Sequence, residues 1–75
     1  MTSLDFELRG DFIPLDALLK ATGLADSGGR AKALVAAGQV QVDGRQELRK
    51  TCKLRAGQCV QYGDWRIRLT AAPAG

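Results

Sequence analysis

The spacing of the apolar residues changes at Gly38, and this change limits the folds open to the chain. Upstream, apolar residues recur at i, i+3 and i+4 in two groups: Leu15, Leu18 and Leu19, and then Ala31, Leu34 and Val35. This spacing places each group on one face of a short amphipathic helix. Downstream, apolar and polar residues alternate, as in Val40-Gln41-Val42, which predicts half-buried strands. Helices followed by strands predict an α+β fold.

Proline, glycine and serine mark the ends of the two predicted helices. Pro14 suits the first helical position, and Gly23 suits the position just beyond the last turn. Asp26 and Ser27 are both candidate N-caps of the second helix, which Gly38 closes. Because the connection between them is short, we expect the two helices to pack against each other.

The other segments predict strands joined by tight turns. Residues 4–8 alternate apolar and charged side chains and form the expected N-terminal strand. Asp43-Gly44 predicts a type I′ hairpin turn, and Gly63-Asp64 predicts a second hairpin. We expect the helices to cover one side of a small antiparallel sheet of hairpins, in one domain over residues 1–70, with a frayed tail over 71–75.

The last predicted strand separates two kinds of side chain. Alternation assigns Ile67 and Leu69 to the core and Arg66 and Arg68 to a solvated face. Tyr62 and Trp65 flank the turn before this strand and are expected in the core or at its rim. So few aromatic residues disfavour a stacking platform for single strands. If the chain binds a nucleic acid, they favour recognition of a folded or double-helical one by shape and phosphate.

The chain contains no histidine, which excludes several kinds of catalytic and metal site. Ser-His-Asp triads, Cys-His pairs and metal sites with histidine ligands are all excluded. Cys52 and Cys59 are too few for a four-cysteine zinc site, and we expect two small apolar side chains rather than a disulfide. The sequence therefore predicts neither an enzyme nor a bound metal or cofactor.

The size of the chain and its N-terminus predict where it works. A length of 75 residues suits a single core. Its longest apolar run, Ala33 to Ala37, is far shorter than the ~20 residues that span a bilayer. Asp5, Glu7 and Asp11 stand where a signal peptide needs a basic start and an apolar stretch. We expect a cytoplasmic protein with no membrane partner.

Charge is distributed unevenly along the chain. Residues 1–26 hold two basic and five acidic side chains, whereas residues 27–75 hold nine basic and three acidic ones. The basic excess is concentrated in residues 27–55. Such asymmetry favours a directed surface for a polyanion, although a solvated face without a ligand has the same composition.

The segment Ser27-Gly28-Gly29-Arg30-Ala31-Lys32 opens the second predicted helix. Adjacent glycines at this place fit either a tight entry turn or the close approach of a phosphate to backbone N–H groups. Arg30 and Lys32 add positive charge at the end of a helix where cations are unfavourable, and an anionic ligand reverses that balance. The spacing is not that of a P-loop.

A second group of basic residues follows the first hairpin: Arg45, Arg49, Lys50, Lys53 and Arg55. On a strand edge or loop these side chains can follow a phosphate backbone. They can equally serve solubility and protect an edge strand from pairing.

The helices and the first hairpin resemble the S4 RNA-binding domain. The resemblance is carried by Leu15-Asp16-Ala17-Leu18-Leu19, Ser27, Ala31-Lys32-Ala33-Leu34-Val35 and Gly38-Gln39-Val40-Gln41-Val42-Asp43-Gly44. Residues 49–54 and 56–58 are similar to the small stand-alone S4-like RNA-binding proteins of bacteria, so the match covers about residues 13–62. The resemblance implies an αL-type fold that binds RNA without catalytic machinery. Many S4 domains have arginine after the serine; here Gly28 takes that place, and the basic role shifts to Arg30 and Lys32.

The sequence thus predicts a non-catalytic, monomeric module that docks structured RNA (rRNA or tRNA) and has no small-molecule substrate. The predicted RNA-binding residues are Ser27, Gly28, Gly29, Arg30, Lys32, Arg45, Arg49, Lys50 and Lys53. The alternative is an adaptor, ribosome-associated for example, that binds an acidic protein partner through the same positive surface. An acidic catalytic site built on Asp11, Asp16 and Asp26 is disfavoured because no nucleophile–base pair accompanies it.

Overall fold

A computed structural model describes residues 2–71, which form two helices and seven short strands. In chain order these are β1 (Thr2–Leu8), β2 (Ile13–Pro14), α1 (Leu15–Ala21), α2 (Gly28–Ala36), β3 (Val40–Val42), β4 (Arg45–Gln46), β5 (Lys53–Leu54), β6 (Cys59–Tyr62) and β7 (Trp65–Ala71). Five strands form the main sheet in the order β1-β7-β6-β3-β4, and β2 pairs with β5 in a second, two-stranded sheet. The predicted α+β class is confirmed.

The main sheet is mixed rather than wholly antiparallel. The strands β3, β4, β6 and β7 pair antiparallel, as the predicted hairpins require. The N-terminal strand β1 instead lies parallel to β7 at the edge, with Leu4 beside Ile67 and Phe6 beside Leu69. Parallel neighbours need a long crossover, and the helices and the other strands supply it here. Asp43 and Gly44 have φ values of 52° and 82°, which confirms the predicted I′ turn between β3 and β4.

The basic segment 45–53 divides between the two sheets. Its first two residues form β4, which pairs with β3. Residues 47–52 then form a loop, and Lys53 pairs with Pro14 as part of β5. The return strand predicted after the Asp43-Gly44 turn is therefore only two residues long, and the loop is the larger part of the segment.

The core lies between the helix pair and the inner face of the sheet. The fully buried large side chains come from both layers: Leu15, Leu18, Leu19, Val35, Val40, Leu54, Val60, Ile67 and Leu69. Among residues 2–71 no polar or charged residue is buried, so this core is apolar throughout. Arg66 and Arg68 are exposed on the other face of the sheet, as alternation predicts. Tyr62 is half-buried against the core, and Trp65 is 37% exposed at its edge.

The helix ends follow the sequence signals with one exception. Pro14 is the N-cap of α1 rather than its first helical residue, because its extended backbone (φ −64°, ψ 146°) pairs with β5. Gly23 and Gly38 follow the C-caps with φ values of 80° and 76°, as predicted. A Cβ atom added at Gly38 would collide with the Gln46 amide, whose Nε2 donates to the Gly38 carbonyl over 3.0 Å.

The C-terminal strand is longer than the sequence predicts. β7 continues through Thr70 to Ala71, which pairs with Leu8 of β1. Ala71 was expected in the frayed tail; the parallel neighbour β1 supplies the pairing that holds it in the sheet. Residues 72–75 of that predicted tail lie outside the described residues. The two helices described within residues 2–71 have seven and nine residues, and neither could span a bilayer.

Candidate functional site

The N-terminus of α2 is built as the sequence predicts at Ser27. Its hydroxyl oxygen accepts a hydrogen bond from the Arg30 backbone N–H over 3.1 Å, which makes Ser27 rather than Asp26 the N-cap. Gly28 and Gly29 are the first two helical residues. Their N–H groups have no hydrogen-bond partner among residues 2–71, as expected for a first turn.

The two glycines are not explained by packing or by backbone strain. A Cβ atom added at Gly28 meets nothing within 4 Å, and one at Gly29 meets only the Ser27 hydroxyl at 4.0 Å. Neither glycine has a positive φ. The entry-turn explanation left open by the sequence therefore has no support. The other explanation is anion binding: the free backbone N–H groups lie at the positive end of the helix, and no Cβ atom shields them.

Four of the predicted residues meet in one open depression. It is lined by Lys32 of α2 together with Leu48, Arg49, Lys50, Thr51, Cys52 and Lys53. We call this surface the basic depression. Gly28 and Lys32 are four residues apart and so lie on the same face of α2. The helix end and the basic depression are thus neighbouring parts of one surface.

The loop that carries these cations is held by the N-terminus of α1. The backbone N–H of Leu15 donates to the Cys52 carbonyl over 2.9 Å, and that of Asp16 donates to the Lys50 carbonyl over 3.0 Å. Pro14 provides no side-chain cap for α1, so loop carbonyls satisfy N–H groups that a capping side chain would otherwise take. The loop begins with a further bond, from the Glu47 N–H to the Val40 carbonyl. It therefore presents its side chains from a fixed backbone.

Arg49 differs from the neighbouring cations because it is paired within the loop. Its Nε lies 2.7 Å from Glu47 Oε1, and its Nη2 lies 3.9 Å from Cys52 Sγ. The hydrogen bond from Arg49 lowers the pKa of Glu47 and raises the pKa of Arg49 itself. Burial, and then the charge of Glu47, raise the pKa of the Cys52 thiol. Lys32, Lys50 and Lys53 form no ion pair among the described residues and carry the free charge of the basic depression.

Phe12 adjoins the basic depression, although no sequence motif marks it as a site residue. The Lys53 Nζ lies 5.0 Å from the centroid of the Phe12 ring, within cation–π range, and Phe12 is 41% exposed. Phe12 falls outside every periodic segment of the sequence, so no pattern assigned it to a face. Leu48, which is 57% exposed, was missed for the same reason.

The remaining predicted residues lie outside the basic depression. Ser27, Gly28, Gly29 and Arg30 belong to the N-terminal end of α2, and Arg45 lies on the edge strand β4. Arg68 lies on the outer face of the sheet, 4.0 Å from Asp5, with both side chains largely exposed. Cys52 and Cys59 are free thiols. No group of three or more potential metal ligands occurs within residues 2–71.

Comparisons with known proteins match this architecture. The family model of the S4 domain matches residues 6–70. YbcJ of Escherichia coli, whose name describes it as a candidate RNA-binding protein, is 44% identical over 59 residues, which are 79% of this chain and 84% of YbcJ. A YbcJ protein of Shigella flexneri, named as uncharacterized, matches to the same extent.

The solved structures give the same relationship. The solution structure of Escherichia coli YbcJ, described as revealing an αL motif involved in RNA binding, superposes with a TM-score of 0.68 and 38% identity. The superposition covers 95% of this chain and 89% of YbcJ. The family model and YbcJ both match most of the chain. The matched region includes the helix pair and the following hairpin, on which the resemblance to the S4 domain was based. The chain belongs to the S4 domain family.

Proposed function

We propose that this protein is a non-catalytic module that binds structured RNA, of the rRNA or tRNA kind, as a monomer in the cytoplasm. Phosphates bind at the N-terminus of α2 and along residues 47–53, which comprise the loop and the first residue of β5. In this role Ser27 caps the helix, and Gly28 and Gly29 allow phosphate oxygens to reach the backbone N–H groups. Arg30, Lys32, Lys50 and Lys53 neutralise the phosphates.

The observation that carries the proposal is the basic depression. Lys32 and Lys53 come from distant parts of the chain, yet both line it together with Arg49 and Lys50. Like charges gathered on one surface repel each other unless a polyanion binds there. Because loop carbonyls are bonded to α1, the cations are presented without a separate ordering step.

The relatives support RNA as the polyanion. YbcJ carries a name that refers to RNA binding, and its structure is described by an αL motif with that role. The two chains align over 95% of this chain and 89% of YbcJ. Helix N-termini and loops that meet phosphates by shape fit the wide, shallow groove of a folded RNA better than the edges of unpaired bases.

A binding titration at several salt concentrations tests the proposal. Fluorescence anisotropy is measured with labelled tRNA and with a labelled rRNA fragment for the wild type and for the K50Q/K53Q variant. Each lost phosphate contact should reduce the log–log salt slope by about 0.7 to 0.9 and weaken binding at low salt. The matched control is R66Q/R68Q, which removes the same charge from the outer face of the sheet.

Unchanged binding by K50Q/K53Q, or equal losses in the two variants, would contradict the proposed surface. An absence of binding at low salt would contradict RNA binding itself, since even non-specific phosphate contacts are strong under that condition. Circular dichroism and thermal unfolding of both variants establish that they fold.

One observation favours an acidic protein partner as a second candidate. Leu48 is 57% exposed within the basic depression, and a phosphate backbone does not need an apolar contact there. Exposed leucine surrounded by cations suits a partner that has an apolar anchor and an acidic rim. Co-purification of a stoichiometric protein that survives nuclease treatment and is lost in Leu48→Ser would favour this candidate over RNA.

A further inference from the structure

Phe12 is an exposed aromatic side chain in contact with Lys53, one of the cations of the basic depression. It lies on the loop between β1 and β2, and 41% of its surface is exposed. The ammonium of Lys53 is 5.0 Å from the ring centroid. This contact positions Phe12 beside the basic depression, because Lys53 also lines that depression.

An apolar recess adjoins Phe12. Its lining includes the aromatic and aliphatic side chains of Phe6, Leu8, Phe12 and Ile13. Glu7 and Arg9 also line it and bring one acceptor and one donor group. A flat ligand with apolar faces and a polar edge fits such a lining, and a nucleobase has that chemistry.

Lys53 links the recess to the path of the phosphates. In the free protein its ammonium lies over the Phe12 ring, but a bound phosphate competes for the same charge. Once Lys53 turns to a phosphate, the ring surface it covers becomes available for stacking. The nucleotide that carries this phosphate then has its base next to the recess.

We propose that the recess beside Phe12 holds one unpaired base of the bound RNA, stacked on the Phe12 ring. The inference rests on the proposed RNA-binding function and specifies its ligand further: a folded RNA whose duplex part meets the basic depression and whose neighbouring nucleotide is single-stranded. RNA is the occupant because Phe12, which lines the recess, is in contact with Lys53 of the basic depression. This position suits a polyanion that also carries aromatic rings.

Three labelled RNAs separate base recognition from phosphate contacts. The first is a blunt hairpin, the second carries a short unpaired overhang, and the third carries an abasic overhang with the same phosphates. We expect the wild type to prefer the base-containing overhang to the abasic one by at least about fivefold, the lower range for stacking of one base on an aromatic side chain. Phe12→Leu should abolish this preference, and Phe12→Tyr should retain it.

Trp65→Leu is the matched control. It also removes a partly exposed ring, but Trp65 pairs with Thr2 at the start of β1. The recess begins at Phe6, four residues or about 13 Å further along that strand. Thermal unfolding shows whether each variant folds.

The outcomes separate this inference from the function on which it rests. Equal affinity of the wild type for the two overhangs overturns the base site but leaves phosphate binding to the blunt hairpin intact. A preference that survives Phe12→Leu, or that Trp65→Leu also removes, overturns it as well. Failure to bind any of the three RNAs at low salt overturns the proposed function itself.

Discussion

The carboxylate of Asp43 accepts a hydrogen bond from the backbone N–H of Cys59, with 2.9 Å between Oδ1 and N. The other oxygen, Oδ2, accepts from the Gln58 side chain over 3.3 Å, and the Asp43 N–H donates to the Cys59 carbonyl over 2.8 Å. A turn residue of the β3–β4 hairpin thus fixes the start of β6. Asp43 is also the one residue other than glycine with a positive φ among residues 2–71.

Replacing Asp43 by alanine should therefore be costly for so exposed a residue. Asp43→Ala leaves the Cys59 N–H without its side-chain acceptor and puts an unfavourable residue in the left-handed region, so we expect a loss of about 2 kcal/mol in the free energy of unfolding. Asp43→Asn keeps an acceptor oxygen and tolerates that region, and should lose less than about 1 kcal/mol. Urea unfolding measures both changes. Asp64→Ala in the second hairpin is the control, and an equal loss there would show that the Cys59 bond is unimportant.

Replacing Gly28 and Gly29 by alanine should stabilise the protein and weaken RNA binding. Both have open space and ordinary helical φ, so alanine at both positions should raise the free energy of unfolding by about 1 kcal/mol or more. The added methyl groups stand where phosphate oxygens would approach, so RNA affinity should fall severalfold at the same time. Thermal unfolding and anisotropy titration measure the two effects separately.

Gly38→Ala is the control for the Gly28/Gly29 double alanine variant, because it should have the opposite effect on stability. It should destabilise the protein, because φ is 76° and the new Cβ would meet the Gln46 amide. RNA affinity that stays at the wild-type value in the Gly28/Gly29 variant would contradict close approach of phosphate to the helix end.

The Glu47–Arg49 pair should make stability depend on pH. The pKa of Glu47 is lowered from its ordinary 4.5, chiefly by the hydrogen bond from Arg49. Its contribution is therefore complete above pH 4.5 and is lost as the pH falls through the lowered pKa of the folded state. Urea unfolding of the wild type and of Glu47→Gln should differ above pH 4.5 and converge in acid. Since Arg49 is largely exposed, added salt should reduce the difference. If the wild type and Glu47→Gln differed in the free energy of unfolding by the same amount at every pH, the Glu47–Arg49 pair would not be the source of the pH dependence.

Releasing Arg49 should strengthen RNA binding. Glu47→Gln removes an acidic group from beside the basic depression and frees the guanidinium for a phosphate. We expect affinity to rise a few-fold and the log–log salt slope to steepen by about 0.7 to 0.9, corresponding to one more contact. Asp64→Asn changes the net charge equally, at the β6–β7 turn. If it strengthened binding as much as Glu47→Gln, the gain would reflect total charge and not the release of Arg49.

Features decided by neighbouring residues were predictable from the sequence. Ser27 caps α2 because its hydroxyl reaches the N–H three residues later, and Asp43-Gly44 turns the chain because both residues tolerate positive φ. The alternation in β7 placed Ile67 in the core for an equally local reason. The resemblance to the S4 domain, carried by the same segments, gave the family.

Features decided by distant pairing were not predictable. Nothing in residues 2–8 indicates a parallel neighbour, and the pairing of Pro14 with Lys53 depends on how the loop returns. Distant pairing also decides which of the predicted cations lie together. Lys32 and Lys50 line the same depression, whereas Arg45 lies on the edge strand β4. Phe12 meets the basic depression only because the fold brings Lys53 to it.

The parallel contact between β1 and β7 also bears on the order in which the protein folds. It joins residues 63 positions apart, as between Thr2 and Trp65, whereas the helix pair and the β6–β7 hairpin close over short stretches. Closing a long loop costs more chain entropy than closing a short one, so distant contacts form slowly. We expect β1 to dock last, onto a chain in which α1 already holds the loop of residues 47–52. The part of the recess that β1 supplies would then be the last part of the surface to assemble.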